Sequence, residues 1–128
     1  MKRILIIGVD SLIGKALYNA LKKTFIVYGT SRKKETSFYN LNLIWELKKW
    51  PHLPDSDVII CCAAMTNILE CENKKKLSKK VNIDGLKKII KKYKKKNTQI
   101  IFFSSTCVFS GKKPYFKKKD LRNPLNSY

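Results

Sequence analysis

The residues most able to do chemistry stand near the start of the chain, in Gly8-Val-Asp-Ser-Leu-Ile-Gly14. A glycine bend that passes directly into a helix leaves backbone N–H groups at the helix start facing outward. Together with the helix dipole, those groups suit a pyrophosphate. A dinucleotide fingerprint carries three glycines at this spacing, and here Ser11 takes the middle place. If that position requires a positive φ, serine costs roughly 1 kcal/mol relative to glycine. Gly8, Ser11, Leu12, Ile13 and Gly14 are therefore the candidate pyrophosphate contacts.

The flanking elements must place that bend. Ile4-Leu-Ile-Ile7 is a continuous apolar run, as expected of a strand buried on both faces of a parallel sheet. Leu12, Ile13, Ala16, Leu17, Ala20 and Leu21 then follow a helical period. Phe25–Gly29 reads as a second strand, Ser37–Leu41 as a short third, and Ile44–Trp50 as a short helix stopped by Pro51 and Pro54. Asp57–Ala64 is the next buried strand. Its small residues either admit a ligand to the backbone or pack beneath a helix. From Lys74 to Lys96 the apolar positions Leu77, Val81, Leu86, Ile89, Ile90 and Tyr93 predict one long amphipathic helix with a lysine-coated back. Gly85 in its interior is expected to let helix and sheet approach closely, and Asn82 to be a satisfied structural amide. Gln99–Phe103 is the last strand, and 110–128 reads as loop.

Strands alternating with helices specify an α/β fold, a Rossmann-like doubly wound parallel sheet, here ending after its fifth strand. The length of 128 residues suits one NAD(P)-binding domain, residues 1–128. The end of the second strand is where such a domain meets the adenosine ribose. No acid stands there before Glu35. Ser31, Arg32 and Lys33 stand there instead, which suits a 2′-phosphate and hence NADP over NAD; the alternative is a basic loop in a basic protein.

Twenty-eight basic and nine acidic residues give a net charge of +19. The lysines are scattered over helix faces and loops without interleaved aromatics, so solvated faces are expected and not a nucleic-acid site. Cys61, Cys62, Cys71 and Cys107 lack metal-ligand spacing, which points to reduced thiols in a cytoplasmic protein and no metal. No apolar run approaches the length of a membrane span.

Ser104-Ser-Thr-Cys-Val-Phe-Ser-Gly111, Pro114-Tyr115 and Asn123-Pro-Leu-Asn-Ser-Tyr128 resemble the extended short-chain dehydrogenase/reductases, nearest the dTDP-4-dehydrorhamnose reductase branch. The resemblance covers the whole chain and reaches about midway along a typical member. It implies an NAD(P)-dependent reductase, epimerase or dehydratase of sugar nucleotides. Tyr128 would be the proton donor to the substrate carbonyl oxygen and would also touch the cofactor. Ser105 would hydrogen-bond the same oxygen, and Ser105 and Thr106 would lie on the substrate side. The resemblance further implies Ser31 and Arg32 at the ribose or 2′-phosphate, Asn42 and Leu43 at the adenine, and Ala63, Ala64 and Met65 behind the nicotinamide ribose.

Several positions depart from the pattern. Ser11 replaces a glycine, Cys61 an asparagine, Thr106-Cys107 an Asp-Tyr pair, and Ser110 an aspartate. The family's Lys, four residues after the Tyr, would fall beyond Tyr128. Such a Lys lowers a tyrosine pKa from about 10, so the chain as it stands is expected to be nearly inactive. An unpaired fifth strand is further expected to favour association through a sheet edge. The chain is also similar to the regulatory β subunit of methionine adenosyltransferase, which shares the Val-Phe-x-Gly and Pro-Leu-Asn-x-Tyr pattern. That likeness implies a non-catalytic NADP-binding role; this, or a degraded pseudoenzyme, is the alternative to an enzyme.

Overall fold

The computed structural model describes residues 1–94 and 97–128; Lys95 and Lys96, at the end of the expected long helix, lie outside the described residues. Five parallel strands form one sheet in the order β3-β2-β1-β4-β5. They are β1 (Arg3–Ile7), β2 (Ile26–Ser31), β3 (Tyr39–Asn40), β4 (Val58–Cys61) and β5 (Gln99–Phe102). β1 lies between β2 and β4, which is why its apolar run is uninterrupted.

Alternate β1 residues feed two cores, as the two-residue period of a strand requires. Ile4 and Ile6, with Val9 and Ile60, pack against Leu17, Tyr18 and Leu21 of α1 (Leu12–Leu21). Leu5 and Ile7, with Ile59 and Cys61, pack on the opposite face against Ile89 and Tyr93 of the later helices and against Leu41, Leu43, Trp50 and Leu53. The sheet is thus doubly wound, with helices on both faces. Only part of the expected apolar face of α1 is core: Leu12, Ile13, Ala16 and Ala20 are exposed.

Three expectations about elements are corrected. Ile44–Trp50 keeps only a 3₁₀ turn at Leu47–Lys49. The carbonyls that would start a longer helix are taken by side chains: Lys88 Nζ donates to Leu43 O at 2.8 Å and to Trp45 O at 2.9 Å, and Trp50 Nε1 donates to Trp45 O at 3.2 Å. The long helix is segmented. A short helix, α2 (Ile68–Asn73), precedes it, and the non-helical φ/ψ of Lys74 separates α2 from α3 (Lys75–Lys79). A π-helical stretch, Lys80–Gly85, joins α3 to α4 (Leu86–Tyr93). The five-residue step from Val81 to Leu86 in the apolar pattern matches this widened turn, since a π-helix bonds i to i+5.

Gly85 is the third correction. A Cβ there would meet the Leu43 side chain at 2.9 Å, so the glycine admits a loop side chain and not the sheet. The strands differ from expectation at their ends: β2 runs on to Ser31, β3 is only two residues long, and β4 stops at Cys61. Residues 110–128 contain no helix or strand, as expected. β5 forms one edge of the sheet, with Ile101 and Phe102 exposed. Among the described residues no helix is long and apolar enough to cross a membrane, and no His/Cys/Asp/Glu group could hold a metal.

Candidate functional site: a glycine bend and the cavity beside it

The bend between β1 and α1 is held by a small set of bonds. Gly8 has φ +89°, and its N–H donates to the Thr30 hydroxyl at 3.1 Å. Val9 N donates to Thr30 O at 3.0 Å, so the bend is tied to β2 through the next residue as well. Ser11 has φ −70° and ψ 156°, an ordinary extended conformation that carries no left-handed strain. Its hydroxyl donates to Gly8 O at 2.9 Å and accepts from Gly14 N at 3.0 Å, making it the N-cap of α1. The anticipated penalty for serine at this position is therefore absent.

With Gly14 N bound by the Ser11 side chain and Lys15 N donating to Ser11 O at 2.9 Å, the first-turn N–H groups of Leu12 and Ile13 remain. Helical geometry gives these two no partner within the helix. They sit at the positive end of the α1 dipole, and the Leu12 side chain beside them is 90% exposed. The donors, their dipole and the clear approach fit a diphosphate. Two close contacts explain the outer glycines: a Cβ on Gly14 would lie 2.2 Å from Gly8 O, and one on Gly8 would lie 2.7 Å from the Ala63 Cβ.

The second part of the site is a cavity of about 220 Å³ at the carboxyl ends of β4 and β5. It brings together Leu43, Ala63, Ala64, Ser105 and Tyr128 from the sequence-predicted set. Tyr128 is 38% exposed. Ser105 caps the 3₁₀ turn Thr106–Val108, its oxygen accepting from Cys107 N at 3.1 Å, a bond that leaves the hydroxyl hydrogen unused. Cys61 also lines the cavity; burial, and secondarily Cys62, pushes its thiol from an ordinary 9.0 up to about 12. Such a shift favours the protonated thiol near pH 7.

Other predicted residues fall elsewhere. Gly8, Ser11, Leu12, Ile13 and Gly14 form the bend itself. Arg32 and Thr106 are exposed, and Met65 and Asn42 are half-buried. Ser31 is 1% exposed, with its hydroxyl already engaged: it donates to Asp10 Oδ2 and accepts from Lys33 N at 2.9 Å. The Leu43 side chain is in the core against Gly85, while Asn42 Oδ1 accepts from Ile44 N at 3.2 Å.

Three contributions lay outside the sequence-predicted set. Asn82, expected only to be satisfied, uses both ends of its amide on Met65, accepting from N at 2.8 Å and donating to O at 2.9 Å, and so pins the backbone after β4 to the π turn. The Tyr128 segment is anchored by Ser78 Oγ, donating to Ser127 O at 3.3 Å, and by Glu72 Oε1, accepting from Ser127 N. The Lys75 side chain, followed by the Ser127 contacts, holds the Glu72 carboxyl below its ordinary range. Asp10 is the third. Of these, only α2, which carries Glu72, had a sequence signal: Asn67-x-x-Glu70, with Asn67 Oδ1 accepting from Glu70 N at 2.9 Å.

Comparison with known proteins places this geometry. A hypothetical dTDP-4-dehydrorhamnose reductase from Sulfolobus tokodaii superposes with a TM-score of 0.85 at 31% identity, over 98% of this chain and 47% of that one. The dTDP-4-dehydrorhamnose reductase of Bacillus anthracis in complex with NADP shares the fold, with a TM-score of 0.82 at 21% identity over 99% of this chain and 45% of that one. Methionine adenosyltransferase 2 subunit beta from Bos taurus is 28% identical over 99% of this chain, which spans 39% of that relative's length. The family model for the RmlD substrate binding domain matches residues 1–128, and the chain belongs to that family.

Proposed function

We propose that this chain is the dinucleotide-binding portion of an NAD(P)-dependent sugar-nucleotide reductase, with NADP the preferred cofactor. The observation that carries the reading is the Ser11-capped start of α1, where helical geometry leaves the Leu12 and Ile13 N–H groups without a partner in the helix. Ser11 locks the bend beneath them, and both flanking glycines are sterically obligatory. Gly8, Ser11, Leu12, Ile13 and Gly14 hold the pyrophosphate. Arg32 and Lys33 supply positive charge at the ribose end. Asn42 lies toward the adenine, and Ala63, Ala64 and Met65 back the nicotinamide ribose.

Held at the bend, the reduced form of the cofactor would supply the hydride equivalent for a keto-sugar carbonyl, leaving the oxidised dinucleotide. Tyr128 delivers the proton to the carbonyl oxygen. Ser105 donates its unused hydroxyl hydrogen to the same oxygen and so stabilises the charge developing there. Thr106 borders the substrate.

A second reading keeps the cofactor site and drops the chemistry. It is favoured by the Bos taurus relative, methionine adenosyltransferase 2 subunit beta, and by Thr106-Cys107 standing where the reductase pattern has Asp-Tyr. The chain as it stands is expected to be nearly inactive. NADPH consumption with a keto-sugar nucleotide therefore separates the two only in a version extended past Tyr128 to carry the family's Lys four residues on and the remaining length of a family member.

Leu12→Asp tests the binding claim itself. A carboxylate in the first turn of a helix is favourable to the helix by about 0.3–1 kcal/mol, and Leu12 makes little packing contact at 90% exposure. The variant is expected to keep or slightly raise its melting temperature while losing NADPH affinity at least tenfold in a fluorescence titration. Unchanged affinity in a folded Leu12→Asp protein contradicts the reading.

A further inference from the structure

We propose that Asp10 is a second determinant of cofactor selectivity, one that works against the basic residues after β2 and keeps NADH in competition with NADPH. The proposal rests on the reading that the bend holds a dinucleotide. Asp10 belongs to the bend, yet its carboxylate reaches the carboxyl end of β2, where Ser31 Oγ donates to Oδ2. Ser31 is buried and accepts the Lys33 N–H at 2.9 Å, so the relay Lys33 N–H, Ser31 O–H, Asp10 fixes one carboxylate oxygen. Asp10 as a residue is exposed, leaving Oδ1 available to a ligand.

A Rossmann domain that prefers NAD ordinarily presents an acid from the end of the second strand to the ribose 2′-hydroxyl. This chain has no acid there and delivers one from the neighbouring bend. A cleft of about 320 Å³ adjoins it, lined by Asp10 together with Lys15, Asn19 and Lys33. A 2′-phosphate entering the cleft meets two ammonium groups, which attract it, and one carboxylate, which repels it. A 2′-hydroxyl meets the same carboxylate as a hydrogen-bond acceptor. The two cofactor forms therefore respond to Asp10 with opposite sign. The hydroxyl of Ser31, counted from the sequence as a phosphate contact, acts through Asp10 instead.

Asp10→Asn is nearly isosteric and retains an oxygen to accept from Ser31, so the bend keeps its bonds. NADPH and NADH are titrated by fluorescence against the unaltered chain and Asp10→Asn, with Lys33→Gln as the converse variant. Asp10→Asn is expected to move the ratio of the two dissociation constants threefold or more toward NADPH, and Lys33→Gln to move it toward NADH. A smaller change in Asp10→Asn, an equal change for both nucleotides, or a change toward NADH overturns the proposal. If the unaltered chain binds neither nucleotide, the reading beneath it fails and this proposal fails with it. If the chain binds both and the ratio is unmoved, only the role of Asp10 is lost.

Discussion

Ser11 uses one hydroxyl for two bonds, donating to Gly8 O and accepting from Gly14 N. A glycine at this place leaves Gly14 N to find another partner, whereas serine closes the bend from inside without standing in the path of an anion. Removing a serine N-cap costs about 1 kcal/mol when alanine replaces it and a few tenths with glycine. Ser11→Ala is accordingly expected to lower stability in urea unfolding by about 1 kcal/mol, and Ser11→Gly by clearly less. Both should still bind NADPH, because the donors are backbone groups. The three-glycine pattern could be read from the sequence, and so could the substitution. The inward turn of the hydroxyl could not, since it depends on the φ/ψ of residue 11.

At the scale of elements, strand content was the most legible feature. Each of the five strands was expected close to where it lies, because an apolar run bounded by turn residues is a strong local signal. Helix continuity was less so. The π stretch Lys80–Gly85 and the break at Lys74 depend on distant partners: Asn82 grips Met65 across the turn, and Gly85 makes room for Leu43. The Val81-to-Leu86 gap recorded the widened turn, but a five-residue gap is also tolerated in an ordinary amphipathic helix. A methyl group at Gly85 would sit 2.9 Å from Leu43 Cβ, and overpacking of this kind costs about 1–3 kcal/mol. Offset by the gain of about 1 kcal/mol in helix propensity, Gly85→Ala is expected to destabilise the fold by a net of about 0–2 kcal/mol in urea unfolding. A more stable variant would show that Leu43 yields without strain.

For the molecule as a whole, parallel topology sets the site. With β1 between β2 and β4, the bend after β1 lies beside the ends of both neighbours: Gly8 N binds Thr30 of β2, and Gly8 abuts Ala63 just past β4. The Leu12 and Ile13 N–H groups, the Asp10–Ser31 pair and the Tyr128 cavity thus fall along one rim of the sheet. The pattern of strands and helices made that rim readable from the sequence. The contacts that fasten Ser127, next to Tyr128, to Ser78 and Glu72 were not, because they join segments about fifty positions apart.

The central claim is that the N–H groups of Leu12 and Ile13 receive the diphosphate of a nicotinamide dinucleotide. It is tested most directly by following the backbone amide resonances of the chain as NADPH is added. The Leu12 and Ile13 signals are expected to move, saturating with a single dissociation constant shared by neighbouring residues of the bend. Saturable binding that leaves those two amides in place, or no binding at all, would contradict the account.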